Sequence, residues 1–424
     1  MMFKAGASQT CITPPPGLEL SGFVMRDQPA LGVLDDLYAR ALFISNGNES
    51  LLWINCDLFG FAVDWAEALK ARLAGDLGLT PRQIILSATH THSGPATFPL
   101  RQAGRPNPKY LKRLQNFIGL AAARAATAQR PVDMRVGRCE LELGRDTRTG
   151  KTAHTDKTLP VVSFWSGRRC VAVLANYGMH NICLNHENRL VSADAAGRAS
   201  AFAQAELPGH PVVLLTQGAG ANVNPSLSGP DPQAADRVGA EMASAIVRLA
   251  LRGKRWTGRP ALRICEGTVH LPLQKMSEEQ IMAEYRRTLS TRRRLSPGEK
   301  RLQLAMEEWK DATLARARAA GAHHEVRVPL QVARIGPLRY AAVAAEVFSR
   351  MASDLRAAKN DNNIHVVGCA NGLTGYLLPA DACSHGGCEV DSACKYWGEF
   401  RIAEGGFETT RDHLLAMMDR VGRS

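Results

Sequence analysis

Six short runs of apolar, mostly β-branched residues constrain the fold of this chain most strongly, because each run ends abruptly in polar or glycine-rich residues. Runs of this length and composition are typical of buried strands. Segments with helical patterns separate them, such as residues 63–77 and 234–251. The predicted fold is therefore α/β, with a mixed β-sheet core flanked by helices. The six runs are residues 51–55, 84–86, 171–174, 212–215, 340–345 and 365–367.

The ends of these predicted strands indicate where a functional site lies. In α/β sheets, ligands bind where strands give way to loops. All six runs end in polar residues, so we expect one shared site. The chain has 424 residues, of which 45% are hydrophobic, enough to bury a large core. Although this length would allow two or three domains, we predict a single continuous domain over residues 1–424.

Residues 277–320 have a different character and predict an inserted helical hairpin. Ser277 to Gln280 and Ser296 to Glu299 both match capping boxes, which begin helices. The hairpin concentrates part of the formal net charge of +12, and its five most closely spaced arginines are Arg286, Arg287, Arg292, Arg293 and Arg294. We interpret this charge as a solvated helical face; an anionic surface or ligand is the alternative. Nucleic acid is not predicted as a partner, because no aromatic platform accompanies the arginines. The hairpin could act as a lid or as a homo-oligomer contact.

The termini and cysteines predict a cytoplasmic protein. The N-terminal segment has no apolar core of a secretory signal, and no apolar run approaches the roughly 20 residues that a membrane-spanning helix needs. The ten cysteines are scattered, which favours reduced thiols. Cys383, Cys388 and Cys394 are spaced too irregularly for a zinc ribbon, so we favour loop or buried thiols over a structural metal site.

The sharpest local pattern is the segment ATHTHSGP, which follows the run at 84–86. In extended backbone, alternate residues share a face, so His90 and His92 are expected to point the same way with their imidazoles close together. This spacing favours joint chelation of a metal ion. Hydrogen-bonded core histidines remain the alternative.

Two further residues extend this candidate metal site. His180 stands in the same relation to its predicted strand as His90 does to its own, and three imidazoles suit a catalytic zinc ion with one open position. Glu346 follows an apolar strand, where a carboxylate needs a strong partner such as a dication. Tyr376 is flanked by glycines and could face a ligand or pack in the core. The segment TQGAGANVNP lacks the lysine of a P-loop, so it predicts a tight turn rather than a nucleotide site.

Five segments between residue 5 and about residue 390 carry distinctive motifs. They are AGASQTCITPPPGLELSGF, GVLDDLYARALFI, ATHTHSGP, QGAGANVNP and ANGLTGYLLPADACSHGGCEV. In order and content these segments resemble the catalytic domain of the neutral, non-lysosomal ceramidases and their bacterial relatives, for example the family's QGxxGDVNP and NGYxGYxPTxxAYxxGGYE motifs. The resemblance implies the ceramidase fold and a hydrolase that cleaves the amide bond of N-acyl lipids with one zinc ion per chain.

The same resemblance implies roles for individual residues. His92 would not bind the metal but would hold the substrate or the developing oxyanion beside it, which differs from the assignment that spacing favours. His92 or Tyr376 would supply the proton to the leaving amine, and Arg148, or else Arg145, would contribute to the site. The implied zinc ligands are His90, His180, Glu346 and Tyr376.

Departures from the family pattern limit what transfers to this chain. Cys11, Asn222 and Ala344–Ala345 replace the family's aspartate, aspartate and Pro-Gly, and Gly218 replaces a serine that touches the lipid. We expect no counterpart of the family's C-terminal β-sandwich domain. A smaller or soluble N-acyl or cyclic amide is therefore favoured over ceramide. The alternatives are a zinc-dependent esterase or lactonase on the same site and a catalytically silent metal-binding or ligand-binding homologue. The ligand types suit zinc without excluding manganese or iron.

Overall fold

A computed structural model of the protein describes residues 2–147, 153–289, 294–319 and 324–422. Its strands are β1 (Phe3–Cys11), β2 (Gly32–Val33), β3 (Tyr38–Ser45), β4 (Ser50–Cys56), β5 (Ile84–Ala88), β6 (Arg130–Glu140), β7 (Gly144–Asp146), β8 (Thr158–Ser166), β9 (Arg169–Tyr177), β10 (Leu190–Val191), β11 (Val212–Gln217), β12 (Val223–Pro225), β13 (Lys254–Arg255), β14 (Leu262–Pro272), β15 (Glu325–Ile335), β16 (Leu338–Val343), β17 (Glu346–Val347), β18 (Ile364–Val367) and β19 (Tyr376–Leu377). Its helices are α1 (Val63–Leu77), α2 (Pro108–Thr127), α3 (Asp194–Glu206), α4 (Pro232–Arg252), α5 (Glu278–Thr288), α6 (Pro297–Arg318), α7 (Arg350–Lys359), α8 (Ala380–His385), α9 (Cys394–Trp397) and α10 (Gly406–Arg420).

Two mixed β-sheets form the centre of the fold. The larger sheet has the strand order β11-β9-β8-β6-β1-β3-β4-β5, with β13 added beside β6. Its pairs β11–β9 and β4–β5 are parallel, and the other pairs on this path are antiparallel. The smaller sheet has the order β14-β15-β16-β18, in which only β16–β18 is parallel. The predicted α/β class with a mixed sheet is confirmed.

The fold has four layers, helices, the larger sheet, the smaller sheet and helices again, and apolar clusters fill the space between neighbouring layers. One apolar cluster joins the facing sides of the two sheets, where Trp53 of β4 meets Tyr340 of β16 edge to face at 5.1 Å. The outer face of the larger sheet is covered by α1 and α2 at one end and by α3 and α4 at the other. Helices α7 and α10 cover the outer face of the smaller sheet. This arrangement buries both faces of both sheets, as the continuous apolar runs predict.

The predicted elements lie where expected. Helix α1 spans the predicted residues, and each of the six apolar runs falls within or overlaps a strand, β4, β5, β9, β11, β16 or β18. The predicted hairpin corresponds to α5 and α6, which connect the antiparallel neighbours β14 and β15. Both capping boxes are formed, at Ser277 with Gln280 and at Ser296 with Glu299. Arg292 and Arg293 lie outside the described residues.

Two further observations concern the sequence expectations. Among the described residues, no helix combines the length and the apolar character that crossing a membrane would require. All ten cysteines are free thiols, and Cys383, Cys388 and Cys394 form no disulfide. Cys394 is half-buried, and desolvation raises the pKa of its thiol to about 11, so the thiol is protonated at neutral pH.

Candidate metal centre

The loops that follow β5 and β9 bring three histidines together. His90 comes two residues after β5, and His180 comes three residues after β9. Thr91 and Asn181 form a parallel bridge, which holds the two loops side by side. His90, His92 and His180 are 1%, 8% and 2% exposed, so all three imidazoles are buried. The expectation that strand ends converge on one place holds for these loops.

Backbone carbonyls orient two of the three imidazoles. His90 Nδ1 lies 2.7 Å from the carbonyl oxygen of Phe59, and His180 Nδ1 lies 3.0 Å from that of Gly220. Because a carbonyl oxygen can only accept, each Nδ1 donates, so in the neutral form of each imidazole the lone pair is on Nε2. Both Nε2 atoms face the same carboxylate oxygen, Glu346 Oε2, at 3.3 Å from His90 and 3.1 Å from His180. This is the arrangement in which histidines bind a metal through Nε2.

The third imidazole is held differently. His92 Nε2 lies 3.4 Å from His90 Nε2, whereas His92 Nδ1 has no hydrogen-bond partner among the described residues. The rings of Phe23 and Phe59 pack on His92, each at 4.8 Å between centroids. Gly22 has a φ of 94°, and a Cβ there would lie 2.5 Å from His92 Nδ1, so only glycine fits beneath this ring.

Burial and charge set the protonation of these groups. Burial lowers the pKa of His90, but interactions with Cys369 and Glu346 outweigh it and hold that pKa well above its usual value. Burial raises the pKa of Glu346, but the charge of His90 and hydrogen bonds from His180 and His90 bring it far below the ordinary range. Burial, together with the charges of His90 and His180, lowers the pKa of His92. Glu346 is therefore a buried carboxylate anion among imidazoles.

These residues fit a divalent metal ion. The candidate ligand atoms of His90, His92 and His180 all lie within 4.8 Å of one another. Glu346 Oε1 has no hydrogen-bond partner within the described part of the chain, although the residue is only 3% exposed. A buried carboxylate left with an unsatisfied oxygen is costly, and a dication satisfies it together with the neighbouring imidazoles. The buried histidine cluster could therefore hold a metal ion, and its donors are those that zinc prefers.

Tyr376 stands next to Glu346 in the fold. The two residues pair in register across the short parallel ladder β17–β19, and Glu346 N donates to Gly375 O at 2.8 Å. Tyr376 is half-buried and lines a cavity of about 520 Å³. The sequence left open whether this ring faces a ligand or packs in the core. Its position at the boundary between the histidine cluster and the cavity is compatible with the ligand-facing role.

The structure describes only one of the two candidate arginines, Arg145. Arg145 is exposed in β7, where it pairs in register with Asn224 of β12. Arg148 lies outside the described residues.

The glycine-rich turn after β11 packs against the loop that carries His180, since a Cβ at Gly220 would lie 2.4 Å from Met179 N. Through the carbonyl of Gly220, this turn positions His180.

Two residues that the sequence did not indicate, Arg26 and Cys369, contact the histidine cluster. Arg26 is 5% exposed, and its Nη1 donates to the carbonyl oxygen of His92 at 2.8 Å, while its Nε donates to that of Asn188 at 2.9 Å. Burial lowers the pKa of Arg26 to about 10. Cys369 Sγ lies 3.4 Å from His90 Nδ1. No local pattern marks either residue, because each acts through a contact with a residue more than 60 positions away.

A second set of missed contacts centres on Asn222, which the sequence marked only as a departure. Its side-chain amide donates from Nδ2 to Asp146 Oδ2 at 2.7 Å and to the carbonyl oxygen of His154 at 2.8 Å. Its Oδ1 accepts from Ser349 N, also at 2.8 Å. Ser349 is three residues after Glu346, so Asn222 links the β7 segment to the residues that directly follow β17, the strand that carries the Glu346 carboxylate.

Comparisons with known proteins agree with this architecture. No model of a known protein family matches the sequence. Among solved structures, neutral ceramidase from Pseudomonas aeruginosa is similar with a TM-score of 0.76 and 17% identity, covering 98% of this chain and 74% of that one. A ceramidase described as complexed with C2 is similar with a TM-score of 0.75 and 18% identity, covering 98% of this chain and 75% of that one. The chain therefore has the fold of the neutral ceramidases, as the resemblance of its motifs predicts.

Proposed function

We propose that the protein is a zinc-dependent amidohydrolase that cleaves an N-acyl or related amide bond with metal-activated water. The observation that carries the proposal is the buried group formed by His90, His180 and Glu346, with His92 beside it, at the strand ends of a ceramidase fold. A nitrogen-rich set with one carboxylate is typical of catalytic zinc sites. The similar solved structures are ceramidases by their descriptions, which supports an amide as the bond that is cleaved.

In this proposal His90, His180, Glu346 and Tyr376 hold one zinc ion per chain. When bound, zinc supplies a polarised carbonyl and a water of lowered pKa, which hydrolysis of an amide needs at neutral pH. The carbonyls of Phe59 and Gly220 fix the tautomers of the two histidines, so that both Nε2 atoms are available.

In this proposal His92 transfers protons, and the aromatic rings around it exclude water. Burial keeps the His92 imidazole neutral, so it can take a proton and later donate it to the leaving amine. The rings of Phe23 and Phe59 exclude water from its faces, which strengthens its hydrogen bonds to a polar reacting group. Tyr376 is the second proton donor within the proposed site, and Arg148 or Arg145 would orient the substrate from the β7 segment.

The proposal is tested by metal content, measured by elemental analysis on protein purified without added metal. We expect about one zinc per chain in the wild type, by analogy with other catalytic zinc sites. His180→Ala should lose it, and His92→Gln should retain it while losing hydrolysis of N-acyl amides. His270→Ala, an exposed histidine of β14, is the matched control and should retain both. A wild-type protein that neither contains a metal nor binds one on reconstitution would overturn the proposal.

Activity measurements then identify the bond. Matched amide and ester substrates with the same acyl group distinguish an amidohydrolase from an esterase or lactonase, because an ester leaving group needs less proton assistance. We expect hydrolysis of the amide, with a loss in His92→Gln that is larger for the amide than for the ester. Zinc binding without turnover of either substrate would instead identify a silent homologue.

A further inference from the structure

The cavity beside Tyr376 has the properties of a pocket for a small molecule. Its volume of about 520 Å³ falls within the range of ligand pockets. Most of its lining is apolar and comes from separate parts of the chain, so the pocket exists only in the folded protein. Its principal apolar residues are Phe98, Leu273, Leu373, Leu378, Trp397 and Ile402.

Aromatic rings connect this cavity to the histidine cluster. The ring of Trp397, which lines the cavity, lies 6.5 Å from that of Tyr376 and 5.5 Å from that of Phe59. The ring of Phe59 in turn lies 4.4 Å from that of His90. Because Tyr376 lines the cavity and pairs in register with Glu346, the cavity lies beside the proposed metal site, with the rings of Trp397 and Phe59 between it and His90.

The outer wall of the cavity is the segment 394–402, and the helical hairpin holds this segment in place. Trp309 Nε1 of α6 donates to the carbonyl oxygen of Glu399 at 2.8 Å, and Arg316 pairs with the Glu399 carboxylate at 2.7 Å. Lys395 pairs with Glu284 of α5 at 2.9 Å and is buried. These contacts hold the segment 394–402 against the helical hairpin.

Within the described ranges, the charged side chains of the lining leave the cation of Arg401 without an ion-pair partner. Arg316 pairs with Glu399, and Arg327 pairs with Glu67 outside the cavity. The guanidinium of Arg401 makes no ion pair or hydrogen bond to any residue in the described ranges, although the residue is half-buried. Among the described residues, the other two carboxylates of the lining form no ion pair with Arg401: Glu325 is exposed at the rim, and Glu389 is 2% exposed. A half-buried guanidinium gains free energy from a carboxylate partner.

We infer that this cavity binds the non-reacting part of the substrate, and that this part combines an apolar chain with a carboxylate that pairs with Arg401. The substrate class is then a compact N-acyl amide with an anionic end, rather than a neutral two-chain lipid. The assignment of the cavity to a substrate rests on the proposed amide hydrolysis, whereas the binding of an anionic, apolar molecule does not.

The first test is binding of octanoate, an anionic chain without a scissile bond, measured by calorimetry on the full chain. Arg401→Gln should weaken binding by about tenfold or more, because it removes a charge-assisted hydrogen bond. Arg401→Lys should retain part of the affinity. Arg263→Gln, an exposed arginine of β14 that does not line the cavity, is the matched control and should bind as the wild type does. Equal affinity in the wild type and Arg401→Gln would overturn the inference.

The second test compares hydrolysis of 8-acetamidooctanoate, whose chain and carboxylate lie on the same side of the amide, with that of its neutral counterpart N-octylacetamide. Arg401→Gln should raise the KM for 8-acetamidooctanoate by about tenfold with little change in kcat, and should leave the neutral amide unaffected. If both amides are hydrolysed and the variant treats them alike, the inference fails and the proposed function stands. If octanoate binds through Arg401 but neither amide is hydrolysed, the pocket stands and the proposed function fails.

Discussion

The substitution Asn222→Asp tests whether the amide of Asn222 is needed where the sequence departs from the ceramidase pattern. Asn222 is 1% exposed and donates two hydrogen bonds from Nδ2, one of them to the carboxylate of Asp146 at 2.7 Å. An aspartate would keep the bond accepted from Ser349 N, but its second oxygen would face the carboxylate of Asp146 and the carbonyl oxygen of His154. Two attractive contacts would therefore become repulsive.

The size of the effect follows from these contacts. Two lost hydrogen bonds cost about 2 kcal/mol in unfolding free energy. At an effective dielectric constant of about 20, two charges at this distance would repel by about 6 kcal/mol. Proton uptake by one carboxyl group limits the repulsion, because protonating an ordinary aspartate at pH 7 costs at most about 4 kcal/mol. Asp146 is half-buried, so screening reduces this further, and we expect a total loss of about 2 to 4 kcal/mol at pH 7.

The loss should depend on pH with a defined sign. Repulsion raises the pKa of the carboxyl pair in the folded variant above its value in the unfolded chain. The folded variant therefore binds the proton more tightly, and its deficit relative to the wild type should shrink as the pH falls from 7 towards 4. Urea unfolding of both proteins at several pH values measures this difference.

A double variant provides the control. Asn222→Asp combined with Asp146→Asn reverses donor and acceptor across the same contact, so it should recover about half of the lost stability. A deficit below about 0.5 kcal/mol at pH 7, which is the size of an ordinary surface effect, would refute the reasoning. A deficit that does not change with pH, or that the double variant does not reduce, would do the same.

Two further predictions concern stability. Lys70 is 7% exposed, its ammonium has one long contact to Gln331 at 3.5 Å, and burial lowers its pKa to about 8. Lys70→Met should raise the unfolding free energy at pH 7 by up to about 3 kcal/mol. This gain should shrink between about pH 8 and 10.5, because the wild-type amine loses its proton there in the folded state before it does so in the unfolded chain. A gain that does not depend on pH in urea unfolding would contradict this. Trp309→Ala should cost about 3 to 5 kcal/mol and make the segment 394–402 more sensitive to proteases, whereas Leu304→Ala on the exposed face of the same helix should do neither; equal digestion of the two variants would contradict the role given to Trp309.

Local patterns predicted the elements of the fold but not how the layers combine. The apolar runs and the bounds of α1 follow from periodicity and composition, which depend on neighbouring residues only. The packing of the two sheets depends on contacts such as that between Trp53 and Tyr340, which are far apart along the chain. Apolar runs buried on both faces carry no alternation that would indicate which face meets which partner. The four-layer arrangement therefore could not be derived from the runs themselves.

The candidate site divides in a similar way. Three residues of the site could be predicted because each follows a recognisable apolar run: His90, His180 and Glu346. The carboxyl ends of strands in α/β folds lie at one edge of the sheet, where ligands bind. Asn222, Asp146 and Ser349 form a network across gaps of 76 and 127 residues, and Arg26 reaches His92 across 66. Each of these supporting contacts depends on the position of a loop, which composition and spacing do not specify.

His90 and His92 lie close together, but not for the reason that their spacing suggests. The spacing of the two histidines predicts aligned rings only in extended backbone, yet His90 has a φ of 61°, in the left-handed region, so alternation along a strand does not align the two rings. Their Nε2 atoms nevertheless lie 3.4 Å apart. What distinguishes the two is the other ring nitrogen: a carbonyl fixes His90 Nδ1, as metal-binding histidines usually require, whereas His92 Nδ1 has no partner in the described part of the chain. This difference favours His92 as the residue that carries a proton beside the proposed metal, and it is the reason we expect His92→Gln to keep a metal ion that His180→Ala should lose.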